Sequence, residues 1–370
     1  MHDIAQTLSI FEPLKSVVIF VNVVLFVVTL LLFVSLLFHK IHVERRARRL
    51  ALLKECYLSE LTRRFYDTQI PAPRPTNRLE FEALGGVLAT MLVNVSGGMA
   101  EYVKRSIREI GIDAYYRRAL SSRSWVKRFV ALERLGYFRF PELKNVFTAV
   151  LESEHDPRLL AKAIWALSLI AEIDDLPVIN QGLQNPHSHS AKFNEFIYSN
   201  IIKAFREREQ ERQLVEQFER FVGDPSLPVM LKRDMIQACG IEIFYPVQAL
   251  VTGCFRQFHD VPEMRIACIR ALERFSAVDT EWLLLECLAD DDWRVRGVAA
   301  RSAHLYSPRV LPALTKLLYD PNYHVRINSA RSLTRMGEAG LNVLVRETRS
   351  ADRFVRDVSQ YMLKRVIYAP

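Results

Sequence analysis

Three arginines recur at matching places along the C-terminal third of the chain. Arg270, Arg301 and Arg331 each stand six positions after an apolar anchor, Met264, Val295 and Val325 respectively. Side chains at equal register in successive repeats line up as a column. Guanidinium groups present a planar fork of donors that matches carboxylate or phosphate oxygens. Such a column is expected to form a docking stripe for an acidic or phosphorylated protein partner, on the face of the second helix set. The bland alternative is pairing within the array, to Glu273, Glu338 or Asp357. A second column, Arg265, Arg296, Arg326 and Arg356, follows the anchors directly and is expected to be structural.

Other chemistry-bearing groups are sparse. His187 and His189, with His155 one repeat earlier, offer imidazoles to a metal, but neither a cysteine nor an acidic pair stands near to complete a site. Asp290, Asp291 and Asp292 form an acidic run better explained as a solvated turn in which Asp292 caps a helix. There is no phosphate-binding G-x-x-x-x-G-K-[ST], no G-x-G-x-x-G and no G-x-S-x-G. The five cysteines, Cys56, Cys239, Cys254, Cys268 and Cys287, contain no C-x-x-C pair and are odd in number, which disfavours a disulfide framework or zinc ribbon. Buried free thiols in a reducing compartment are expected instead. No catalytic, cofactor-binding or metal-ligating residue is assigned, no cofactor is expected, and the chain is read as not an enzyme.

The elements that must position these groups begin with a membrane signal. Residues 16–38 read SVVIFVNVVLFVVTLLLFVSLLF without a charge, interrupted only by Asn22, Thr29 and Ser35. About 20 apolar residues span a bilayer as a helix, and the core of a cleaved signal peptide is shorter. The flanks orient the segment. Lys40, Arg45, Arg46, Arg48 and Arg49 follow it, against Asp3, Glu12 and Lys15 before it, so positive-inside bias places the N-terminus outside and the rest in the cytosol. Those five basic residues are expected to meet anionic headgroups. Much of the formal charge of +8 lies here, with eight Lys or Arg against three Glu between His39 and Tyr66. The basic balance is therefore local, and a nucleic-acid groove is disfavoured.

The expected organisation is a short outer tail (1–15), a transmembrane helix (16–38), a basic juxtamembrane helix with a stiff proline-rich linker (39–77), a helical solenoid cap (78–122) and a solenoid (123–370). Prolines at 71, 73 and 75 exclude a helix from the linker. The cap is expected as two helices, Leu79 to Val95 and Met99 to Leu120, parted at Ser96–Gly98. In the solenoid, VPEMRIACIRAL (261–272), DDWRVRGVAARSA (291–303), PNYHVRINSARSL (321–333) and ADRFVRDVSQYML (351–363) place their anchors Met264, Val295, Val325 and Val355 at an almost constant period. Fainter copies begin near Val126, Leu159 and Leu231. Self-similarity of this kind marks a solenoid of helix pairs, an all-α fold. Between 187 and 222 the motif is lost, and Arg206 to Gln213 (REREQERQ), with its alternating charge, is expected to be a solvated helix.

The pattern resembles the HEAT family in its short-period, bilin-lyase-like (PBS-lyase-like) form. The likeness rests on Asp292–Val295–Arg296, Asn322–Val325–Arg326 and Asp352–Val355–Arg356, where Asp or Asn caps the helix and Arg is expected to bond the capping side chain of its own or a neighbouring repeat. It implies a curved array whose inner surface binds proteins. Some HEAT enzymes hold iron through His-Glu pairs; no His-Glu dipeptide occurs here. The functional expectation is a single-pass, membrane-anchored scaffold in a bacterial inner membrane, its cytosolic array holding a protein partner, with an envelope or exopolysaccharide-synthesis assembly as the concrete setting. The alternatives are a lyase- or isomerase-like HEAT enzyme working in the groove and a nucleic-acid-binding module.

Overall fold

The computed structural model describes residues 2–67, 69–184, 190–276 and 278–368, so His187 and His189 lie outside the described residues. Every regular element among them is helical, and the chain divides into two compact units, Met1–Arg118 and Ala119–Pro370.

The first unit begins with α1 (His2–Tyr66), one uninterrupted helix. At 1.5 Å per residue its 65 residues run about 100 Å. No part of its most apolar window is buried by the rest of the chain, and Phe20, Phe26, Leu31 and Phe38 are all largely exposed. It is thus one helix long and apolar enough to cross a membrane, by length and composition. Thr29 donates its hydroxyl hydrogen to the Leu25 carbonyl at 2.8 Å, so this polar group is satisfied within the helix.

Nearer its C-terminus α1 changes character. Tyr57 and Leu61, one turn apart, are buried, and this stretch packs on α2 (Arg78–Asn94). Asn77 caps α2 by accepting from the backbone N–H groups of Leu79 and Glu80, while Glu80 accepts from the N–H of Thr76. Small residues let α2 pack closely. A Cβ added at Gly85 would collide with the Tyr116 ring and its hydroxyl. The expected second cap helix is in fact two, α3 (Gly97–Ile110) and α4 (Ile112–Ala119), because Gly111 turns left-handed at φ 78° and ends α3. All of α2 and α3 belongs to the same compact unit as α1.

The proline segment is extended but is not a free linker. Arg64 of α1 donates to the Ile70 carbonyl at 3.0 Å and holds both oxygens of Glu109 at 2.8 Å, and Pro73 is buried. Prolines lack the N–H that would tie the strand into regular structure, so a guanidinium supplies the anchoring hydrogen bond to a carbonyl.

The second unit is a stack of helix pairs: α5 (Trp125–Phe138) with α6 (Lys144–Ser153), α7 (Pro157–Ser168) with α8 (Leu176–Leu183), α9 (Ala191–Glu207) with α10 (Glu211–Gly223), α11 (Val229–Ile241) with α12 (Gln248–Gln257), α13 (Pro262–Phe275) with α14 (Glu281–Leu288), α15 (Trp293–Ser302) with α16 (Leu311–Leu317), α17 (Tyr323–Arg335) with α18 (Gly337–Glu347), and a last helix α19 (Arg353–Tyr368). The sequence motif falls on the first helix of a pair, or on the final helix α19. Its anchors Leu159, Leu231, Met264, Val295, Val325 and Val355 are buried. Val126 is the exception, at 49 % exposed.

One expectation is overturned here. Residues 190–222 lack the motif yet still form a helix pair, α9 with α10, but Arg206–Gln213 is not one helix. The chain turns at Glu209, which is left-handed at φ 59°. The charges are spent on separate partners: Arg206 on Glu211 and the Glu242 carbonyl, Arg208 on the Ala204 and Ala171 carbonyls. Alternating charge satisfied both a helix and a charged turn, and contacts across repeats selected the turn.

Candidate protein-docking face

Successive motif helices pack against one another along the whole stack, whereas successive second helices touch far less. The motif helices thus make the closely packed row, the inner row of the stack. Arg270, Arg301 and Arg331 sit on α13, α15 and α17, the motif helices, and not on the second helix set where they were expected. The reason is the register: six positions past a buried anchor is under two helical turns, still within the same helix.

The three arginines are not equivalent. Arg301 lies 3.5 Å from Glu273, whose carboxylate also accepts a hydrogen bond from the Ser302 hydroxyl at 2.7 Å. Arg331 has no ion pair among the described residues, so neither Glu338 nor Asp357 neutralises it; Asp357 pairs with Arg353 at 3.5 Å instead. Arg270 is exposed and has no ion pair among the described residues. Desolvation, then the nearby charge of Arg301, weakens its hold on its proton, against the opposing pull of Glu195 and Glu273. Arg233 of α11 also acts on it. Register alone did not reveal this neighbour, because it lies two positions after its anchor, Leu231, rather than six.

The second arginine column is structural, but its partners differ from those expected. Arg296 donates to Asp320 at 2.7 and 3.1 Å and to the carbonyls of Asp290 and Asp291 at 2.8 and 2.9 Å. Arg326 reaches the carbonyls of Asp320 and Pro321, and Arg356 those of Ser350 and Ala351, in the same way. Arg265 pairs with Asp290 at 2.8 Å. The rung therefore joins Arg265 and Arg296 to the acid two positions before the next cap, Asp290 or Asp320, and not to the cap itself. Asp292, Asn322 and Asp352 are occupied in capping the N–H groups of Arg294, His324 and Phe354. Asp292 also binds the Arg294 side chain at 2.6 Å, which with its cap bond holds its carboxyl below the ordinary range. Asp290 and Asp292 are thus used in pairing and capping, and no group of three or more metal-ligating residues exists among the described residues.

Along the earlier motif helices the same inner row is aromatic. A cavity of about 560 Å³ is lined by Phe129, Tyr137, Lys162, Trp165, Phe193 and Phe196 among others. Arg158 stacks over Trp125 at 3.9 Å, and Lys162 sits 4.6 Å from the Phe129 ring and 4.5 Å from Trp165. Sequence reasoning missed this groove, although Trp125 and Trp165 on two consecutive motif helices were its available signal.

Cys239, Cys254, Cys268 and Cys287 are buried, and burial pushes the Cys254 thiol up to about 12. Inert core thiols result. Cys56 is exposed on α1. Of the juxtamembrane basic residues, Arg45, Arg48 and Arg49 are exposed, Lys40 lies 3.9 Å from Glu44, and Arg46 is bound to Glu82 of α2 at 2.5 Å. Arg46 therefore fastens α2 to α1 rather than being free for headgroups.

Residues 280–364 match the family model described as HEAT repeats, which covers the three clearest copies of the motif. No curated protein matches the chain. Among solved structures, the crystal structure of an engineered protein aligns at 18% identity over 79% of this chain and 86% of that one, with a TM-score of 0.37. Human deoxyhypusine hydroxylase in complex with glycerol aligns at 16% identity over 77% and 96%, with a TM-score of 0.24. Superpositions this loose carry no argument about function.

Proposed function

We propose that this chain is a membrane-anchored scaffold, and not an enzyme, whose repeat array holds a protein partner beside the bilayer. The observation that carries this is the inner row of motif helices, which presents an aromatic, cation-lined stretch followed by arginines that include Arg270 and Arg331, without ion pairs among the described residues. A stacked array offers an extended surface of this kind, and stacking leaves that surface rigid. The helix α1 supplies the anchor. Its exposed apolar side chains would be costly in water at roughly 25 cal/mol per Å², and a bilayer removes that cost.

In this proposal the N-terminus lies outside, the repeats are cytosolic, and Arg45, Arg48 and Arg49 meet anionic headgroups, each contributing about 1 kcal/mol near the surface. The setting is a bacterial inner membrane, and the partner belongs to an envelope or exopolysaccharide-synthesis assembly. The test is purification of the detergent-solubilised protein under mild conditions, beside a variant carrying R270E, R301E and R331E. A stoichiometric protein that accompanies the wild type and is lost from the variant is the expected result. Recovery of a small molecule or nucleic acid in place of a protein would overturn the scaffold.

A further inference from the structure

We propose that the aromatic cavity of the inner row is the seat for an acidic, aromatic segment of the partner protein, one in which aromatic side chains alternate with Asp or Glu. This rests on the scaffold reading and adds to it which kind of segment the array holds and where. Of all neighbouring motif helices, α7 and α9 touch least. The cavity of about 560 Å³ lies at that gap. Phe129 and Tyr137 line it from α5, Lys162 and Trp165 from α7, and Phe193 and Phe196 from α9. Its volume is that of clefts that bury a small ligand, so it has room for more than one side chain. Phe196 is 49 % exposed, and covering such ring surface is favourable.

The charges of the lining select the occupant. Among the described residues, Arg158 and Lys162 are the only charged groups that line the cavity, and both are cations. Their acids hold them from outside the lining: Asp156 meets Arg158 at 2.7 Å, and Glu133 meets Lys162 at 3.3 Å. Asp156 takes the Nε and one Nη of Arg158, and no hydrogen bond among the described residues engages the other Nη. That nitrogen keeps its donors for an arriving carboxylate. The same cations exclude two other occupants. Arg158 lies 3.9 Å over Trp125, and Lys162 stands 4.6 Å from the Phe129 ring and 4.5 Å from that of Trp165. Ring faces that would attract a ligand cation are thus already covered, and an ammonium group would meet two like charges. A single-stranded nucleic acid needs open ring faces for its bases and a continuous basic track for its phosphates. Here the faces are taken and the track is two residues long. Aromatic side chains packed against Tyr137, Phe193 and Phe196, with a carboxylate at Arg158, satisfy both the rings and the charge.

The test uses the full chain in detergent and a fluorescein-labelled peptide, Gly-Ser-Glu-Trp-Glu-Phe-Glu-Gly-Ser, read by fluorescence anisotropy, with circular dichroism to verify that each variant is folded. The peptide is expected to bind the wild type and to lose on the order of tenfold in affinity with F196A, which removes a half-exposed ring from the lining and leaves the buried core intact. A161F should cost as much, since Ala161 lines the cavity and a phenyl ring there fills it. Phe354, a ring 62 % exposed on α19, serves as the comparison: F354A should change the affinity less than about twofold. Replacing every Glu of the peptide by Lys, or both aromatic residues by Ala, should each weaken binding on the order of tenfold. Equal binding by the wild type and F196A overturns the proposal, as does absence of binding to the wild type. Equal or tighter binding of the Lys peptide overturns the choice of an acidic segment. Tighter binding of a fluorescein-labelled oligothymidylate that is lost in F196A overturns the choice of a protein. If A161F did not fold, F196A against wild type would carry the same comparison. A protein partner that still co-purifies with F196A at full yield would leave the scaffold standing and remove this site; binding of the peptide through Phe196 with no co-purifying protein would do the reverse.

Discussion

The repeats from α13 to α19 and those from α5 to α12 share one helix pair as their unit but are joined differently. In the later group the motif helices begin at Pro262, Trp293, Tyr323 and Arg353, an almost constant period, and the arginines of the last three grip the carbonyls of the turn before them. In the earlier group they begin at Trp125, Pro157, Ala191 and Val229, at longer and less even intervals. The rung survives there once, in Arg128 with Glu154, the acid two positions before the cap Asp156. The other joins do not recur: Lys144 pairs with Glu172 and Asp175, Tyr198 donates to Asn180 at 2.7 Å, and Asn200 to Ser168 at 3.1 Å. A repeated rung makes interfaces interchangeable and legible. Individual contacts permit longer helices, such as the 17-residue α9, and an inner face of aromatic character.

On this difference, breaking a rung should cost more than any single change to the earlier contacts. Asp320 is 4 % exposed at its side chain, and it holds Arg296 by two bonds and the N–H of Asn322 by a third. Asp320→Ala leaves a half-buried guanidinium without its carboxylate and should destabilise the array by about 3 kcal/mol, measured by urea denaturation followed by circular dichroism. A loss below about 1 kcal/mol, the size of an exposed pair, would show that the rung is ornamental.

In the earlier group, packing should dominate. A Cβ at Gly240 would lie 2.7 Å from the Ala271 Cα on the facing helix, a contact with backbone that cannot swing away. Gly240→Ala should therefore cost about 1–3 kcal/mol in the same assay, against the usual stabilisation of a helix by alanine. An unchanged or raised midpoint would mean that α11 and α13 are more loosely joined than the structure shows.

The ladder also stops one rung early. Where Asp290 and Asp320 stand, the next repeat has Ser350, and Arg326 turns to the Phe354 ring, 5.0 Å away, instead. Ser350→Asp should extend the ladder and add about 0.5–1 kcal/mol, seen as a higher thermal midpoint that Arg326→Gln abolishes. A lower midpoint in the S350D variant would mean that the contacts of Ser350 with Tyr319 and the Asp352 N–H matter more.

The smallest effect concerns acid. Bonding to Arg158, above all from its side chain, draws the Asp156 carboxyl from 3.8 to about 2. A depressed carboxyl stabilises the fold above its unfolded value, and that contribution is lost as pH falls from about 3.8 through about 2. Asp156→Asn should flatten this part of the pH–stability curve. The neutral-pH midpoint should change little, since Asn caps as well as Asp and the pair with Arg158 is open to solvent. A variant curve that stays parallel to the wild type would show that other carboxylates carry the acid response.

By itself the sequence determined what periodicity and local chemistry can determine. The apolar run of residues 16–38, the helical repeat from the spacing of Met264, Val295, Val325 and Val355, and the caps at Asp292, Asn322 and Asp352 all follow from a residue and its near neighbours, because helix periodicity and capping are short-range. What crosses between helices was decided only by the tertiary structure. Arg296 chose Asp320, in the turn that leads into the following repeat, over the nearer cap; Arg46 was taken by Glu82; Arg64 fastened the proline segment; and the charges of 206–213 folded into a turn rather than a helix. Among the three inner arginines the sequence saw only equal register. That Arg301 alone of them has an ion pair was decided by Glu273, which lies on the neighbouring motif helix α13, because an ion pair is set by distance in space and distance along the chain does not reveal it.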